Sequence, residues 1–267
     1  MEAVYLSATQ FVRAMTTGRT RPLLFVAEDT DGNAHEVIVK FRRGDFTHKG
    51  QVAELISALL ASRLGLAVPT PAIVEVPAAF AELVPDSAAD AVRDGGGPNF
   101  GSVLVEPGHT TWPQGTPIRG RLVDLAAEVF AFDLLVQNPD RRRGNPNLLA
   151  RSESLVVIDH DQAFSFLYLP MIGGAGMPWE AKDHASDFGY MRNHLFYSEL
   201  RGSRPNLGPF LTRLHGLQKA DIRGLVDHVP EAWLPDGHDL CGQIIDYLAT
   251  AAKNASEFIA MVRHLLE

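Results

Sequence analysis

Three polar side chains in the middle of the chain have the types and spacing that phosphoryl transfer needs. Asp140 and Asn145 lie five residues apart in the run NPDRRRGNPN (138–147), and Asp159 follows the apolar residues 155–158. Phosphoryl transfer requires a group that accepts or orients the acceptor hydroxyl, together with oxygen ligands for the magnesium ions that bridge the phosphates. Two carboxylates and one amide in this order could fill those roles.

The same stretch also fits a purely structural interpretation. Asn-Pro-Asp and Gly-Asn-Pro-Asn are typical of turns, and the residues 155–158 are typical of a buried strand. The spacing alone leaves both interpretations open. The elements that would have to position the three side chains therefore decide between them.

The composition indicates a globular protein with an acidic balance. With 267 residues the chain suits two small lobes or one large domain. Hydrophobic residues make up 46% and charged residues 21%, which is typical of a folded protein. The net charge of −8 argues against binding nucleic acid through bulk charge, so we expect no direct nucleic-acid partner.

Cysteine content and hydropathy indicate a cytoplasmic protein. The single Cys241 excludes an intrachain disulfide and a cysteine-based metal cluster. The sequence shows no signal-peptide pattern and no apolar run of membrane-spanning length. We therefore expect a soluble protein of a reducing cytoplasm, without a membrane partner.

A glycine-containing loop and a hairpin are predicted near the N-terminus. Residues 16–22 precede an apolar strand at 23–27, and a glycine and hydroxyls before a strand could let backbone N–H groups approach phosphate. A plain turn is the alternative. The Asp-Gly pair within 29–33 predicts a hairpin whose return strand covers 36–41.

A lysine and a helical glutamate follow this hairpin. Lys40 ends the return strand, much as the lysine of the Val-Ala-Ile-Lys strand does in protein kinases, where it contacts the α- and β-phosphates. Apolar residues at helical spacing predict a helix at 51–64, which Gly65 would end. A kinase would use a glutamate such as Glu54 to hold the lysine. The alternatives are an exposed lysine and an exposed acid.

The next segments are predicted to complete the β-rich half. Residues 69–84 suggest another pair of strands, and the glycine-rich residues 86–99 suggest a surface loop. Residues 100–108 read as a strand that runs into a break. We expect an interlobe hinge there, where backbone groups of Glu106 and its neighbour Val105 could meet an adenine edge.

The second half is predicted to be mainly helical. A helix at 122–137, apolar nearly all round, leads directly into the run that begins at residue 138. It contains Asp133, which is either a buried side chain that orients the following loop or an exposed one. Shorter helical pieces are expected at 186–199 and 210–217, and closing helices at 239–248 and 255–266.

Taken in this order, the chain resembles the HipA-like kinases, and in particular the short HipA-related family. The most specific matches are 138–148 and 158–164, which share their outline with the Asp-Arg-x-x-x-Asn and Ile-Asp loops of phosphatidylinositol kinases. The resemblance is also carried by residues 18–22, 37–41, 64–69 and 100–102.

The resemblance implies an α+β, bilobal protein-kinase-like fold that binds ATP and Mg²⁺ between its lobes. The N-lobe would be β-rich and cover residues 1–106, on the phosphate side of the nucleotide. The C-lobe would be mainly helical, cover residues 107–267, and contain the catalytic loop and the metal site.

The resemblance also implies roles for individual residues. Asp140 would be the catalytic acid, Asn145 and Asp159 the metal ligands, and Lys40 a phosphate ligand. The implied nucleotide-binding residues are Gly18, Arg19, Thr20, Lys40, Glu54, Val105 and Glu106.

Two positions depart from the family pattern. Arg142 stands where relatives often have His, and Asp161 stands where they often have Gly. The second change places another carboxylate two residues from Asp159, on the same side if the strand continues.

These observations favour an ATP- and magnesium-dependent phosphotransferase that acts on a Ser or Thr hydroxyl of a protein. A small-molecule kinase is the alternative among enzymes, because the acceptor is not identified by the sequence. A nucleotide-binding regulatory pseudokinase is the alternative from another class, although Lys40, Asp140, Asn145 and Asp159 are all present. Transfer of AMP or another group from ATP would use the same nucleotide-binding residues.

Overall fold

The chain folds into a closed five-stranded barrel followed by a mainly helical region, an α+β architecture. The fold is that of a computed structural model. It describes residues 1–15, 20–42, 44, 46–167, 176–180, 182–234 and 239–267, without the side chains of 182–184. No helix within these ranges is long and apolar enough to span a bilayer.

The barrel is built from strands in the order β1-β2-β3-β5-β4, and it closes because β4 pairs in parallel with β1. The other neighbours are antiparallel. The predicted hairpin joins β2 to β3, with the Asp29 carboxylate accepting the backbone N–H groups of Asp31 and Asn33, each at 2.9 Å. The strands are β1 Val4–Ala14, β2 Leu23–Glu28, β3 Ala34–Lys40, β4 Pro71–Val76 and β5 Gly97–Val103.

Alternation along β3 points Lys40 away from the barrel interior. Val37 and Val39 are fully buried inside the barrel, so the residues between and after them face outward. Gly101 on the neighbouring β5 has no room for a side chain, because a Cβ there would lie 2.7 Å from Val74 Cγ2 and 2.8 Å from Val37 Cγ2. The inner face is therefore fully packed, and the lysine must leave the barrel on the other side.

Helix α1, His48–Arg63, lies between the barrel and the helical region. Every residue from 50 to 61 is buried, so the helix is enclosed on all sides rather than along one apolar stripe. The predicted C-cap is confirmed. Gly65 has φ +83°, and the N–H groups of Gly65 and Leu66 return to the carbonyls of Ser62 and Ala61.

Two predictions for the segment after α1 are wrong. Residues 69–84 contain one strand, β4, followed by a 3₁₀ helix at Ala78–Glu82, because Pro77 precedes a turn that cannot continue the ladder. The predicted loop at 86–99 begins with helix α2, Asp86–Asp94. This helix buries only Ala88 and Val92 against the barrel, four residues apart, so its apolar pattern is short.

The helical region contains a small second sheet and, among the described residues, six α-helices and three 3₁₀ segments. The sheet consists of β6 Thr110–Thr111, β7 Leu148–Arg151 and β8 Ser154–Val157. The helices are α3 Arg121–Leu135, α4 Tyr197–Leu200, α5 Gly208–His215, α6 Lys219–Val226, α7 Leu240–Lys253 and α8 Ala255–Leu266. Of these, α6 was not predicted from the sequence; its start is fixed by a capping box between Gln218 and Asp221.

Polar contacts attach the barrel side to the helical region. Trp233 Nε1 donates to the carbonyl oxygen of Pro98 on β5 at 2.8 Å. At the C-terminus of α1, Arg213 Nε donates to the carbonyl oxygen of Leu64 at 2.5 Å, while Arg213 Nη2 donates to Glu128 Oε1 on α3 at 2.7 Å. Helix α1 is thus fixed at its end to both α3 and α5.

Candidate active site

The lysine cluster, which we define as Lys40, Glu54 and Asp159, joins three distant parts of the chain. Lys40 Nζ donates to Asp159 Oδ1 at 2.6 Å and to Glu54 Oε1. The other oxygen of Glu54 accepts the backbone N–H of His160 at 2.9 Å. Because α1 is buried on all sides, Glu54 is presented to Lys40 from within the core rather than from the surface.

The charged groups in this cluster keep one another ionised. Burial alone would lower the pKa of Lys40 and raise that of Glu54. The negative charges of Glu54 and Asp159 outweigh this effect and raise the pKa of Lys40. The positive charge of Lys40 and the hydrogen bond from His160 hold the pKa of Glu54 below its usual range. The Lys40–Glu54 pair is therefore ionised at neutral pH.

Asp159 reaches this cluster through the end of β8. The Val157 N–H donates to the Ala67 carbonyl at 2.8 Å, and the Ile158 N–H donates to the Asn147 carbonyl at 3.1 Å. The strand then stops, because Asp159 has φ +62°, a left-handed conformation that Asp adopts more readily than most residues. The turn directs its carboxylate to Lys40 on the barrel.

The second group of polar side chains belongs to the loop between α3 and β7. Asp140 Oδ2 accepts Nδ2 of Asn145 at 2.7 Å and Nδ2 of Asn147 at 3.4 Å. Asp140 Oδ1 lies 3.6 Å from Nε of Arg142. Asp140 and Asn145, five residues apart in sequence, are thus in direct contact.

The arginine cluster, which we define as Arg141, Asp133 and His194, lies beneath this loop. Arg141 Nε donates to Asp133 Oδ2 at 2.6 Å, and His194 Nε2 lies 3.0 Å from the same oxygen. The Phe196 N–H donates to His194 Nδ1 at 3.2 Å, so the ring proton is on Nε2 and donates to Asp133. Of the two interpretations of Asp133, the structure thus favours the buried residue that orients the loop.

The arginine cluster also ties the loop to the strand that carries Asp159. Arg141 Nη1 donates to the carbonyl oxygen of Ile158 at 3.0 Å and to that of Asn147. One guanidinium therefore fixes the residue before Asp159 relative to the loop of Asp140 and Asn145. The distance between the carboxylates of Asp140 and Asp159 is therefore fixed from within the buried core.

Arg141 and Asp133 remain charged although both side chains are completely buried. Burial would raise the pKa of Asp133, but the charge of Arg141 and the hydrogen bond from His194 lower it to about 2. Burial lowers the pKa of His194, against the opposing effect of Asp133. His194 is therefore neutral in the folded protein, in agreement with its single ring proton.

Among the described residues, the other predicted nucleotide-binding residues, Thr20, Val105 and Glu106, join neither cluster. Gly18 and Arg19 lie outside the described residues. Thr20 is half-buried at the turn before β2 and makes no hydrogen bond to the lysine cluster within the described part of the chain. Glu106 is exposed, with its carboxylate 3.6 Å from Arg151, and Val105 beside it is half-buried.

The extra carboxylate at Asp161 lies close to the lysine cluster. It is buried, and burial raises its pKa to about 6, reinforced by the negative charges of Glu54 and Asp159. The positive charge of Lys40 acts in the opposite direction. Three carboxylates therefore share the electrostatic environment of one lysine.

Four residues that shape the site had no role in the sequence analysis: Arg141, Asn147, His160 and His194. For Arg141 a signal was available, because the Asp-Arg pair belongs to the loop pattern shared with phosphatidylinositol kinases. For His194 there was none, since it lies 61 residues from its partner Asp133. Among the three arginines of the loop, the sequence analysis singled out Arg142 and gave no role to Arg141.

The fold is similar to that of a known kinase. The chain matches the crystal structure of a Helicobacter pylori proinflammatory kinase, CtkA, with a TM-score of 0.51 and 11% sequence identity. The match covers 99% of each chain. At this identity the likeness concerns the fold alone. No curated protein matches the chain.

The sequence itself identifies the family. The family model described as HipA-like kinase matches residues 8–167, which is more than half of the chain. The matched stretch contains the whole lysine cluster and the loop of Asp140 and Asn145. The protein belongs to the HipA-like kinase family, which confirms the resemblance drawn from the sequence.

Proposed function

We propose that this protein is an ATP- and Mg²⁺-dependent phosphotransferase that transfers the γ-phosphoryl group to a Ser or Thr hydroxyl of a protein. The observation that carries the proposal is the convergence of Lys40, Glu54 and Asp159, which are separated by up to 119 residues in sequence. In this proposal the barrel (1–106) is the N-lobe, the remainder (107–267) is the C-lobe, and the lysine cluster lies in the cleft between them.

The side chains present suit a magnesium–nucleotide complex. Mg²⁺ prefers oxygen ligands and is usually held by one or two carboxylates together with substrate phosphates. Asp159 offers a carboxylate, and Asn145 offers its amide oxygen, because its Nδ2 is already donated to Asp140. Asn145 and Asp159 would hold the ion, which when bound neutralises negative charge on the phosphates.

Lys40 would bind the α- and β-phosphates. It already donates hydrogen bonds to two carboxylates, and Glu54 would remain as its buried partner if Asp159 bound the metal. The backbone N–H of His160 keeps Glu54 in position independently of the lysine. A cation held in this way stabilises phosphate charge without having to be ordered during the reaction.

Asp140 would act on the acceptor. Its carboxylate accepts the proton of the acceptor hydroxyl while the hydroxyl oxygen bonds to the γ-phosphorus. The bond between the γ-phosphorus and the oxygen bridging to the β-phosphate breaks, and ADP leaves with that electron pair. The arginine cluster contributes by fixing the loop, so that the carboxylate is in place before the substrates arrive.

The other predicted contacts complete the nucleotide site in this proposal. The loop that contains Gly18, Arg19 and Thr20 precedes β2, where its backbone could cover the phosphates. Backbone groups of Val105 and Glu106, directly after β5, would meet the adenine edge. Confinement to the cytoplasm agrees with a supply of Mg-ATP.

A thermal-shift measurement tests the nucleotide site. Millimolar Mg-ATP should raise the melting temperature by mass action, since it would bind the folded chain only. Mg²⁺ alone should raise it less, because the ion needs the phosphates to complete its shell. A melting curve unmoved by Mg-ATP would count against the proposed function as a whole.

Two substitutions separate chemistry from binding. Asp140→Ala should lower phosphoryl transfer by about 10²–10⁴-fold, the usual contribution of a positioned acid–base group, while the affinity for Mg-ATP stays close to wild type. Asp159→Ala should instead weaken Mg-ATP binding. Calorimetric titration of both variants measures the difference, and equal loss of binding would show that the two roles are wrongly assigned.

A further inference from the structure

We infer that the acceptor carries an anionic side chain beside its reacting hydroxyl, and that Arg142 recognises it. This inference rests on the proposed function and names the substrate class of the same site. The anionic group is assigned to an Asp or Glu of a peptide segment, two residues from the phosphorylated Ser or Thr. The argument proceeds from the two oxygens of Asp140.

The two oxygens of Asp140 have different surroundings. Oδ2 accepts the amide groups of Asn145 and Asn147. Oδ1 accepts no hydrogen bond from the described residues, and Nε of Arg142 lies 3.6 Å from it. Oδ1 is therefore the oxygen that can accept the proton of the acceptor hydroxyl, and the acceptor enters on the side of Arg142.

The three consecutive arginines of the loop have three different environments. Arg141 is completely buried and bound to Asp133. The side chain of Arg143 is 63% exposed, but its Nη2 donates to Glu199 Oε1 at 3.0 Å and to Ser198. The side chain of Arg142 is 60% exposed, and within the described part of the chain its guanidinium donates no hydrogen bond.

The position of Arg142 is fixed although its donors are unused. Its backbone pairs with that of Asn145 on one side and that of His194 on the other. The guanidinium thus projects from an anchored backbone next to the reacting oxygen. Its planar set of N–H groups suits a carboxylate, which it can bind through two parallel hydrogen bonds.

The distances select the position of the acidic residue in an extended peptide. The acceptor oxygen would lie about 3 Å from Oδ1 of Asp140. Side chains on the same face of an extended segment are two residues, or about 7 Å, apart. A carboxylate two residues from the acceptor therefore comes within reach of a guanidinium whose Nε is 3.6 Å from Oδ1. The immediate neighbours of the acceptor face the other way.

The local positive charge contrasts with the rest of the protein. The chain has a net charge of −8, so an acidic segment is repelled by the molecule at long range. Selection of an acidic acceptor then has to come from a local cation, and Arg142 is an exposed cation beside Asp140 whose guanidinium donates no hydrogen bond within the described part of the chain. An acidic segment would therefore bind only if one of its carboxylates reaches the guanidinium of Arg142.

The inference is tested with peptides that differ only in the residue two positions from a single Ser, either before or after it. Glu, Gln and Lys at that position give acidic, neutral and basic acceptors. The wild-type protein should phosphorylate the Glu peptide about fivefold more efficiently than the Gln peptide, the size of a modest exposed ion pair. Arg142→Glu should reverse the order in favour of the Lys peptide.

Ratios between peptides within one variant remove any common loss of rate. Arg143→Glu is the matched control in the same loop, with the same change of charge at a side chain that is already hydrogen-bonded to Ser198 and Glu199. Arg93→Glu on α2 is the remote control, since Arg93 pairs with Asp90 of its own helix. Both controls should keep the wild-type preference for the Glu peptide.

The outcomes separate this inference from the proposed function. Equal phosphorylation of the three peptides by the wild type would overturn the inference and leave the kinase activity standing. Hydrolysis of ATP without labelling of any peptide would overturn it as well, because the acceptor would not be a peptide of this kind. Absence of both ATP hydrolysis and ATP binding would instead contradict the proposed function.

Discussion

The lysine cluster and the arginine cluster both join a cation to carboxylates, but they differ in contact with solvent. In the lysine cluster the side chain of Lys40 is 12% exposed and that of Asp159 is 30% exposed. In the arginine cluster Arg141 and Asp133 have no exposed surface at all. The two centres lie close together, since Arg141 holds the residue before Asp159.

This difference indicates a division of tasks. An ion pair that reaches solvent can exchange one partner for a ligand, as Asp159 would do on binding a metal. A completely buried pair cannot, because removing either partner leaves an uncompensated charge in the core. The arginine cluster therefore fixes the relative positions of the loop of Asp140 and the strand before Asp159, and the lysine cluster depends on these positions. The predictions below test this division.

The largest effect on stability is expected from Arg141→Ala. This change leaves the Asp133 carboxylate buried without its cation and releases the carbonyl oxygens of Asn147 and Ile158. The free energy of unfolding should fall by about 3–5 kcal/mol, measured by urea denaturation. The matched control Arg142→Ala removes an exposed neighbour and should change it by about 0.5 kcal/mol or less. Similar losses in both variants would remove the distinction between the two arginines.

A smaller effect on stability is expected from Lys40→Ala. Glu54 loses its cation but keeps the backbone N–H of His160, and solvent reaches the place of Lys40, whose side chain is 12% exposed. The ligand-free protein should therefore lose about 1–3 kcal/mol, less than after the loss of the fully buried Arg141. The stabilisation by Mg-ATP should be affected as well. In the wild type it should amount to about 2.7 kcal/mol at a hundredfold excess over Kd, and the variant should lose most of it at the same concentration. Full stabilisation of the variant would exclude Lys40 from the phosphate site.

The smallest effect concerns pH and His194. Burial lowers its pKa below the ordinary value of 6.5, so the folded chain keeps it neutral while the unfolded chain takes up a proton. Stability from this residue is present above about pH 6.5 and is lost as the pH falls below it, by at most about 1.4 kcal/mol per pH unit. Urea denaturation between pH 7.5 and 5.5 should therefore show a shallower slope for His194→Gln than for wild type.

The exposed His215 provides the control for this measurement. His215→Gln alters a side chain at the end of α5 that solvent reaches in the folded protein. Its unfolding free energy should follow the wild-type curve over the same pH range. An unchanged slope in His194→Gln would mean that the buried ring does not account for the pH dependence.

The exposed part of the site could be predicted from the sequence, because its residues recur at short and characteristic spacings. Asp140 and Asn145 are five residues apart, and Asp159 follows an obvious strand. Lys40 ends a strand whose alternation already placed it outside the valines. Each of these positions is encoded by a local pattern. The contact between Lys40 and Glu54 was one of two alternatives that the sequence left open, and the contact between Lys40 and Asp159 was not predicted.

The arginine cluster could not be predicted, because its contacts are long-range and its residue types are common in proteins. One arginine out of three consecutive ones is buried, and only the position of Asp133 and His194 in space distinguishes it. Helix α2 was missed for a related reason. The glycines at 95–97 suggested a loop, whereas they end the helix and begin β5. The burial of Val92 depends on its contact with the folded barrel, which the local sequence does not show.

The attachment of α1 limits how this protein can be switched off. The helix is enclosed on all sides, its C-terminal carbonyl is held by Arg213, and its glutamate is held by His160 as well as by Lys40. An outward swing of the helix would have to break all of these contacts together. Regulation by rotation of α1 would therefore require a large free energy in this fold. An inhibitor of this protein should act by denying entry to the phosphates or to the acceptor, with the Lys40–Glu54 pair still formed in the silent state.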